Sequence, residues 1–262
     1  MAARRWMSAA VVGMVAGLLG CASVEPMEPG VFEEEIRQEL SGEPADSDAA
    51  WILSRALEAA GEAPADERLG VLRDARRRAR DARQFKIAKE SPLPQGWPRP
   101  SLPGLVRIKT YPPVRSAWVR APQKGTGQFM VLFRHIQDQQ IAMTAPVVME
   151  YSDAAARDPS TLGSAEAMAF LYRRADQGQA GEYGAVVVGN DRPVRVLSVA
   201  LKGSYREANF RKALGELSRW LDAHPRYRRA GAPRVLAYNS PFLLWFLKYS
   251  EVQIPIVEAS GG

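Results

Sequence analysis

The chain has 262 residues, 46% of them hydrophobic and 24% charged, close to the globular average, which excludes disorder throughout. That length suits one sizeable domain plus a helical or flexible segment, whereas two full domains would be crowded. The net charge is +6, but much of the excess lies in one run, Arg73 to Arg83, and in the N-terminal arginines. The charge therefore reads as a solvated helix face, or as attraction to anionic head groups, and a nucleic-acid partner is not expected. A single cysteine excludes a disulfide framework and a cysteine-based zinc site.

In chain order, Arg4 and Arg5 precede an uncharged run from Trp6 to Leu19, which reads as a signal peptide over 1–20. The run is shorter than the ~20 apolar residues of a membrane span. Leu18-Leu19-Gly20-Cys21 resembles the lipobox of bacterial lipoproteins. That resemblance implies cleavage before Cys21, acylation (palmitate or similar chains) of its thiol and a lipid anchor in the cell envelope; the alternative is that Cys21 is one more small apolar residue. Ala22 and Ser23 follow, with no Asp, and the outer membrane is the favoured address, on its periplasmic side or surface. The surroundings of Arg4-Arg5 fit a twin-arginine signal poorly.

Residues 21–90 read as a tether and a helical segment. The helices are Val31 to Leu40, one carrying Trp51, Ile52, Leu53, Leu57 and Ala60 on one face, and Ala65 to about Lys89. Their thin apolar stripes suggest loose packing on the main domain, or a stalk. Residues 91–104 hold five prolines and read as an extended linker. The main domain then covers 105–257, with a tail at 258–262.

Within that domain, β-like runs fall at Val106 to Tyr111, Arg115 to Arg120, Ile141 to Tyr151, Ala167 to Arg173, Val194 to Leu201, Arg234 to Tyr238 and Glu251 to Val257. Two helices intervene, each with an i, i+3, i+4 or i+7 stripe: Phe129, Leu132, Phe133, Ile136, and Phe210, Leu214, Leu217, Leu221. The order of elements in 105–173 repeats in 194–257, and Thr144-Ala-Pro146 and Asn239-Ser-Pro241 place a proline bend in each half. This is an α+β plan, a distorted antiparallel barrel of two βαββ halves with two packed helices behind an N-terminal helical segment, and the space between the halves is the natural pocket.

Five segments in order, Lys109-Thr-Tyr-Pro-Pro-Val-Arg115, Leu132-Phe-Arg-His-Ile136, Ile141-Ala-Met-Thr-Ala-Pro-Val147, Val235-Leu-Ala-Tyr-Asn-Ser-Pro-Phe242 and Glu251-Val-Gln-Ile-Pro-Ile256, resemble the SOUL, or haem-binding-protein, family. The resemblance implies the barrel just described and a haem or porphyrin ligand. Such a ring needs an apolar cleft and cations for its carboxylates. Phe129, Leu132, Phe133, Met143 and Met149 are the candidate wall, and Arg115, Arg134 and Lys109 the candidate cations. His135, on the flank of its helical stripe, is the candidate metal ligand; His224 reads as a helix C-cap. Plain core packing is the competing reading for the aromatic and methionine residues.

No nucleophile elbow, paired-histidine metal motif or phosphate loop is present, and catalysis is not expected. The alternative function uses Glu251, which shares a strand face with Tyr249 and Gln253, as a carboxylate in an apolar pocket, binding or hydrolysing another small molecule. The effector-binding domains of multidrug-responsive regulators use such a carboxylate on the same duplicated plan. A third reading is an envelope protein that binds protein partners, whose identity stays open.

Overall fold

A computed structural model describes residues 28–120 and 126–259. Cys21 and the signal segment lie outside them. Three helices come first, α1 (Pro29–Ser41), α2 (Asp48–Glu62) and α3 (Ala65–Gln84). Ser47 caps α2 by accepting the Ala50 amide hydrogen, and Asp66 and Glu67 sit in the first turn of α3, where the helix dipole favours them.

These helices do not form a stalk or a loose layer. Phe32, Ile36, Leu53, Leu72 and the buried alanines Ala49, Ala56, Ala60, Ala75 and Ala79 make a core of their own, which Leu105 joins. Small residues at three- and four-residue steps let the helices approach closely, so a thin stripe still buries well. Part of the arginine run belongs to this packing, because Arg76 pairs with Glu35 and Glu39, and Arg83 with Glu39 and Glu43.

The remaining chain forms ten strands: β1 (Val106–Tyr111), β2 (Val114–Arg120), β3 (Val147–Glu150), β4 (Ala167–Leu171), β5 (Gly181–Tyr183), β6 (Val186–Asp191), β7 (Val194–Lys202), β8 (Tyr227–Arg229), β9 (Arg234–Ala237) and β10 (Tyr249–Glu258). Helices α4 (Thr126–Asp138), the short α5 (Asp153–Arg157) and α6 (Glu207–Asp222) are inserted among them. The sheet runs β1-β7-β10-β9-β3-β4-β2-β6-β5, with β8 beside β10. Its ends do not meet, so the expected barrel is an open antiparallel sheet.

Apart from β5 at its end, that order is a palindrome. Exchanging β1 with β6, β2 with β7, β3 with β9 and β4 with β10 reverses the path onto itself, with the local axis between β3 and β9. The duplication is therefore real, but the second half starts at β6 and not at Val194. Each half also gives its first strand to the other, since β1 pairs with β7 and β6 with β2. The sequence marker of the repeat is different from the one expected: Pro113-Val114-Arg115 and Pro193-Val194-Arg195 enter β2 and β7. Pro146 precedes β3 whereas Pro241 follows β9, so those two bends are not equivalent.

Helices α4 and α6 pack on the outer face. Leu132 and Ile136 meet Ala117, Val119, Met168 and Phe170 in one core, and Phe210, Leu214 and Leu217 meet Leu197, Val252 and Ile254 in the other. Across the inner face lies the stretch expected to be a spacer. Phe85, Ile87, Leu93 and Trp97 pack against Tyr111, Leu171, Tyr238 and Tyr249 of that face. Backbone hydrogen bonds fix it to both halves, from Gln95 N–H to Arg173 and from Gly104 N–H to Ala200, each 2.8 Å. Helix α3 stops at Gln84, short of Lys89, because Phe85 turns extended to reach the Tyr249 ring, 5.7 Å away.

Asp48 joins the three layers. Its carboxylate, in the first turn of α2, accepts from Leu102 N–H at 2.6 Å and pairs with Arg107 of β1. With both charged groups largely buried, Asp48→Ala leaves Arg107 unpaired and is expected to cost about 3 kcal/mol. Denaturant midpoints measure that loss, and limited proteolysis is expected to begin within 85–105.

Candidate functional site

The inner face is divided in two by the strap of residues 85–105. Under it lies a closed polar network, and beside it an open cleft.

The network is centred on Glu251, which is fully buried. As strand parity predicts, Glu251, Tyr249 and Gln253 face inward while Val252, Ile254 and Ile256 face α6. Lys109 Nζ donates to Glu251 Oε1 at 2.6 Å and to the Arg99 carbonyl at 2.9 Å. Ser101 N–H donates to the same carboxylate at 3.1 Å, the Tyr111 hydroxyl at 3.0 Å and the Tyr249 hydroxyl lies 2.8 Å away. Burial pushes the Glu251 carboxyl up, but the Lys109 charge and these hydrogen bonds outweigh it and hold it below its ordinary value. Burial drives the hydroxyls of Tyr111 and Tyr249 well above theirs, with the Glu251 charge adding to it. A carboxylate so saturated, behind Trp97 and Ser101, is out of reach of a ligand. Lys109 is likewise committed and does not serve as a carboxylate anchor.

The cleft has a volume of about 800 Å³, within the usual range of small-molecule sites. Its walls come from both halves: Trp97, Tyr111, Val114, Trp118, Val148, Leu171, Val187 and Pro255 supply apolar surface. Arg120, Glu150, Asp191, Arg192 and Arg234 supply charge. Asp191 accepts from the Ser116 hydroxyl at 2.8 Å and the Trp118 indole N–H at 3.1 Å, and burial raises its carboxyl above the ordinary value. Glu150 pairs with Arg120 at the rim, 2.8 Å apart.

Of the cleft arginines, Arg192 and Arg234 have no carboxylate partner at contact distance among the described residues, and Arg234 is the less exposed. Its Nε donates to Gln253 Oε1 at 2.8 Å, and its guanidinium lies over the Tyr111 ring at 5.3 Å. Its Nη2 is buried with no hydrogen-bond partner among the described residues. A buried guanidinium nitrogen without an acceptor is costly.

The residues expected to hold a porphyrin fall elsewhere. Phe129, Leu132, Phe133, Met143 and Met149 belong to the core between α4 and the outer face, with Phe129 against Phe170 at 5.1 Å. They pack the helix that their periodicity describes. Arg115 points outward to Asn190 and the Gly178 carbonyl, and Arg134 is exposed on α4. His135 is buried, with Nε2 2.9 Å from the Tyr172 hydroxyl and its ring beside Tyr183. Burial lowers its pKa, against the opposing charge of Asp138. It is held on the face away from the cleft. His224 Nδ1–H donates to the Trp220 carbonyl at 2.7 Å, the helix-end role expected of it. Trp97, Trp118, Asp191 and Arg234 of the cleft are not among the candidates that the sequence offers. Parity along β2 was the available signal, since Ala117 and Val119 face α4 and Trp118 must then face inward.

Residues 104–255 match the family model described as SOUL haem-binding protein, and the chain belongs to that family. Haem and porphyrins are the ligand class that this membership supports. A search of curated proteins found no match. Among solved structures, the chain is similar to the C-terminal domain of EcmrR, at 16% identity and a TM-score of 0.45, over 59% of this chain and 98% of that one. A hydrolase from Listeria innocua is similar at 9% identity and a TM-score of 0.42, over 61% and 94% of the two chains. SAV2435 bound to tetraphenylphosphonium follows at 8% identity and a TM-score of 0.34, over 58% and 94%.

The cleft fits the tetrapyrrole class in part. An apolar slot edged by arginines suits a flat macrocycle with carboxylates, but no histidine, cysteine or methionine is among the lining residues. Among the described residues there is also no cluster of three His, Cys, Asp or Glu side chains able to hold a metal ion.

The Glu251 pair should be visible in stability. Glu251→Gln keeps most hydrogen bonds but leaves Lys109 unpaired in the interior, and is expected to cost about 3–5 kcal/mol in chemical denaturation. Because folding lowers the Glu251 pKa, its contribution is present above the unfolded value and is lost as pH falls through the folded one. The wild type should therefore lose more stability than Glu251→Gln on acidification below about pH 4.5.

Proposed function

We propose that the protein is a lipid-anchored tetrapyrrole carrier or buffer of the cell envelope, with the macrocycle in the open half of the inner-face cleft. The observation that carries this reading is the pairing of an apolar slot with the unpartnered guanidinium edge of Arg234. The ring would lie against Trp118, Val148, Leu171 and Val187, and a ligand carboxylate would meet Arg234, with Arg120 and Arg192 nearer the solvent. Bound haem would bring iron with it; the chain's part is to bury the ring, exclude water and fix the carboxylates. The lipobox around Cys21 supports the anchor and the envelope address.

Since the affinity would come from ring burial and carboxylate contacts, metal-free protoporphyrin IX is expected to bind within about tenfold of haemin. Titration of the Cys21→Ala chain, followed by Soret absorbance and tryptophan quenching, measures both. Saturation at one equivalent is the expected result; non-saturating uptake would sink the proposal. Arg234→Met is expected to weaken binding about ten- to a hundredfold, the worth of one charge-assisted hydrogen bond, while His135→Ala leaves the Soret position of bound haemin unchanged. Detergent-phase partitioning of wild type against Cys21→Ala tests the anchor.

A further inference from the structure

The loop between β9 and β10 exposes a continuous apolar run that neither the cleft nor the core uses. Phe242 is 94% exposed and Trp245 65%, and Leu244, Phe246 and Leu247 are exposed beside them. Residues Trp245–Leu247 form a single 3-10 turn in which the Trp245 and Phe246 rings meet edge to face at 5.8 Å. Isolated exposed apolar residues are ordinary, but five large ones on one loop tip mark a contact surface.

The base of this loop is fixed. Asn239 Nδ2 donates to the Ala88 carbonyl at 2.7 Å, the Ser240 amide and hydroxyl donate to Glu90 at 2.8 Å, and Lys248 Nζ donates to the Pro241 carbonyl at 2.8 Å. The tip is thus held outward and cannot fold back on the sheet without losing these bonds. The surroundings are basic: Lys248 ends the loop, exposed Lys202 is opposite Tyr249 in the strand register, and exposed Lys89 lies between the two residues that tie the base. Burial pushes the Glu90 carboxyl up, but the Ser240 hydrogen bonds and the Lys248 charge hold it below its ordinary pKa; it is ionised and offsets one of the three lysines, leaving the collar basic.

From this geometry we infer that the β9–β10 loop is a membrane-docking element that inserts Phe242, Leu244, Trp245 and Phe246 into the interfacial region of an anionic bilayer. Tryptophan and phenylalanine with leucine are the side chains that settle at the boundary between head groups and acyl chains, and the lysine collar matches anionic head groups at that depth. A protein partner would leave the collar unexplained. No described helix is long and apolar enough to cross a membrane, so this contact is with one leaflet.

The full chain with Cys21→Ala has no cysteine left, so Phe242→Cys in that background takes a single environment-sensitive nitrobenzoxadiazole label. Val257→Cys, on the same strand about 25 Å along from Tyr249 at the rise of an extended chain, is the control. With phosphatidylethanolamine and phosphatidylglycerol vesicles, the label at 242 should shift to the blue and be quenched by lipids with nitroxide on the acyl chain, and the label at 257 should do neither. Trp245→Ser with Phe246→Ser should weaken the 242 response about tenfold or more while porphyrin binding is retained. A label at 242 that stays aqueous in the presence of vesicles overturns the inference, as do equal shifts at both positions. A shift that follows protein concentration without vesicles would assign the patch to a second copy and overturn it too. The measurement uses no acyl chain on the protein and no porphyrin, so its failure is distinct from failure of the anchor or of the carrier function.

Discussion

A carboxylate in an apolar interior has to be compensated, and apart from its strand neighbours Tyr249 and Gln253, Glu251 is compensated by groups distant in sequence. Lys109 and Tyr111 come from β1, Ser198 from β7 and the Ser101 amide from the strap. The pair between Lys109 and Glu251 therefore requires β1 to be seated beside β7, β7 beside β10, and the strap to be closed over all three. Lys109 in turn holds the strap through the Arg99 carbonyl. Removing one charge leaves the other buried in an interior that cannot solvate it, so this interaction fixes the position of the strap, and the strap fixes the size of the cleft.

The consequence is an asymmetric molecule on a symmetric frame. The palindromic sheet offers two equivalent inner surfaces. One is covered by Phe85, Trp97 and the chain leading to Leu105, and the other is left open between Trp118 and Arg234. The N-terminal helices contribute through the same device, since Asp48 of α2 holds Leu102 at one end of the strap and Arg107 at the edge of the sheet.

Much of the framework was legible in the sequence because it rests on local signals. The stripes of α4 and α6, the alternation in β10 and the five family segments each name their element. What escaped depends on partners far along the chain. β6 carries Gly189-Asn190-Asp191, residues that weaken a strand signal, and it forms because β2 supplies its hydrogen bonds. The proline-rich stretch reads as a spacer by composition, yet its few apolar side chains find an inner face whose position no local pattern gives. Periodicity identifies the α4 stripe but cannot say which side of the sheet it faces, so the candidate set built on it lies on the side away from the cleft. The cleft residues lie one step along the strand from residues that were recognised.

The strand exchange between the halves bears on how such a molecule can arise. A half consisting of β1 to β4 with α4 would hold a first strand whose partner is absent and a β2 whose outer edge is bare. Two copies of that half could satisfy both needs by trading first strands around the β3–β9 axis. The single chain thus has the geometry of a fused pair of identical subunits, and fusion is what allows one subunit surface to keep its opening while the other is sealed.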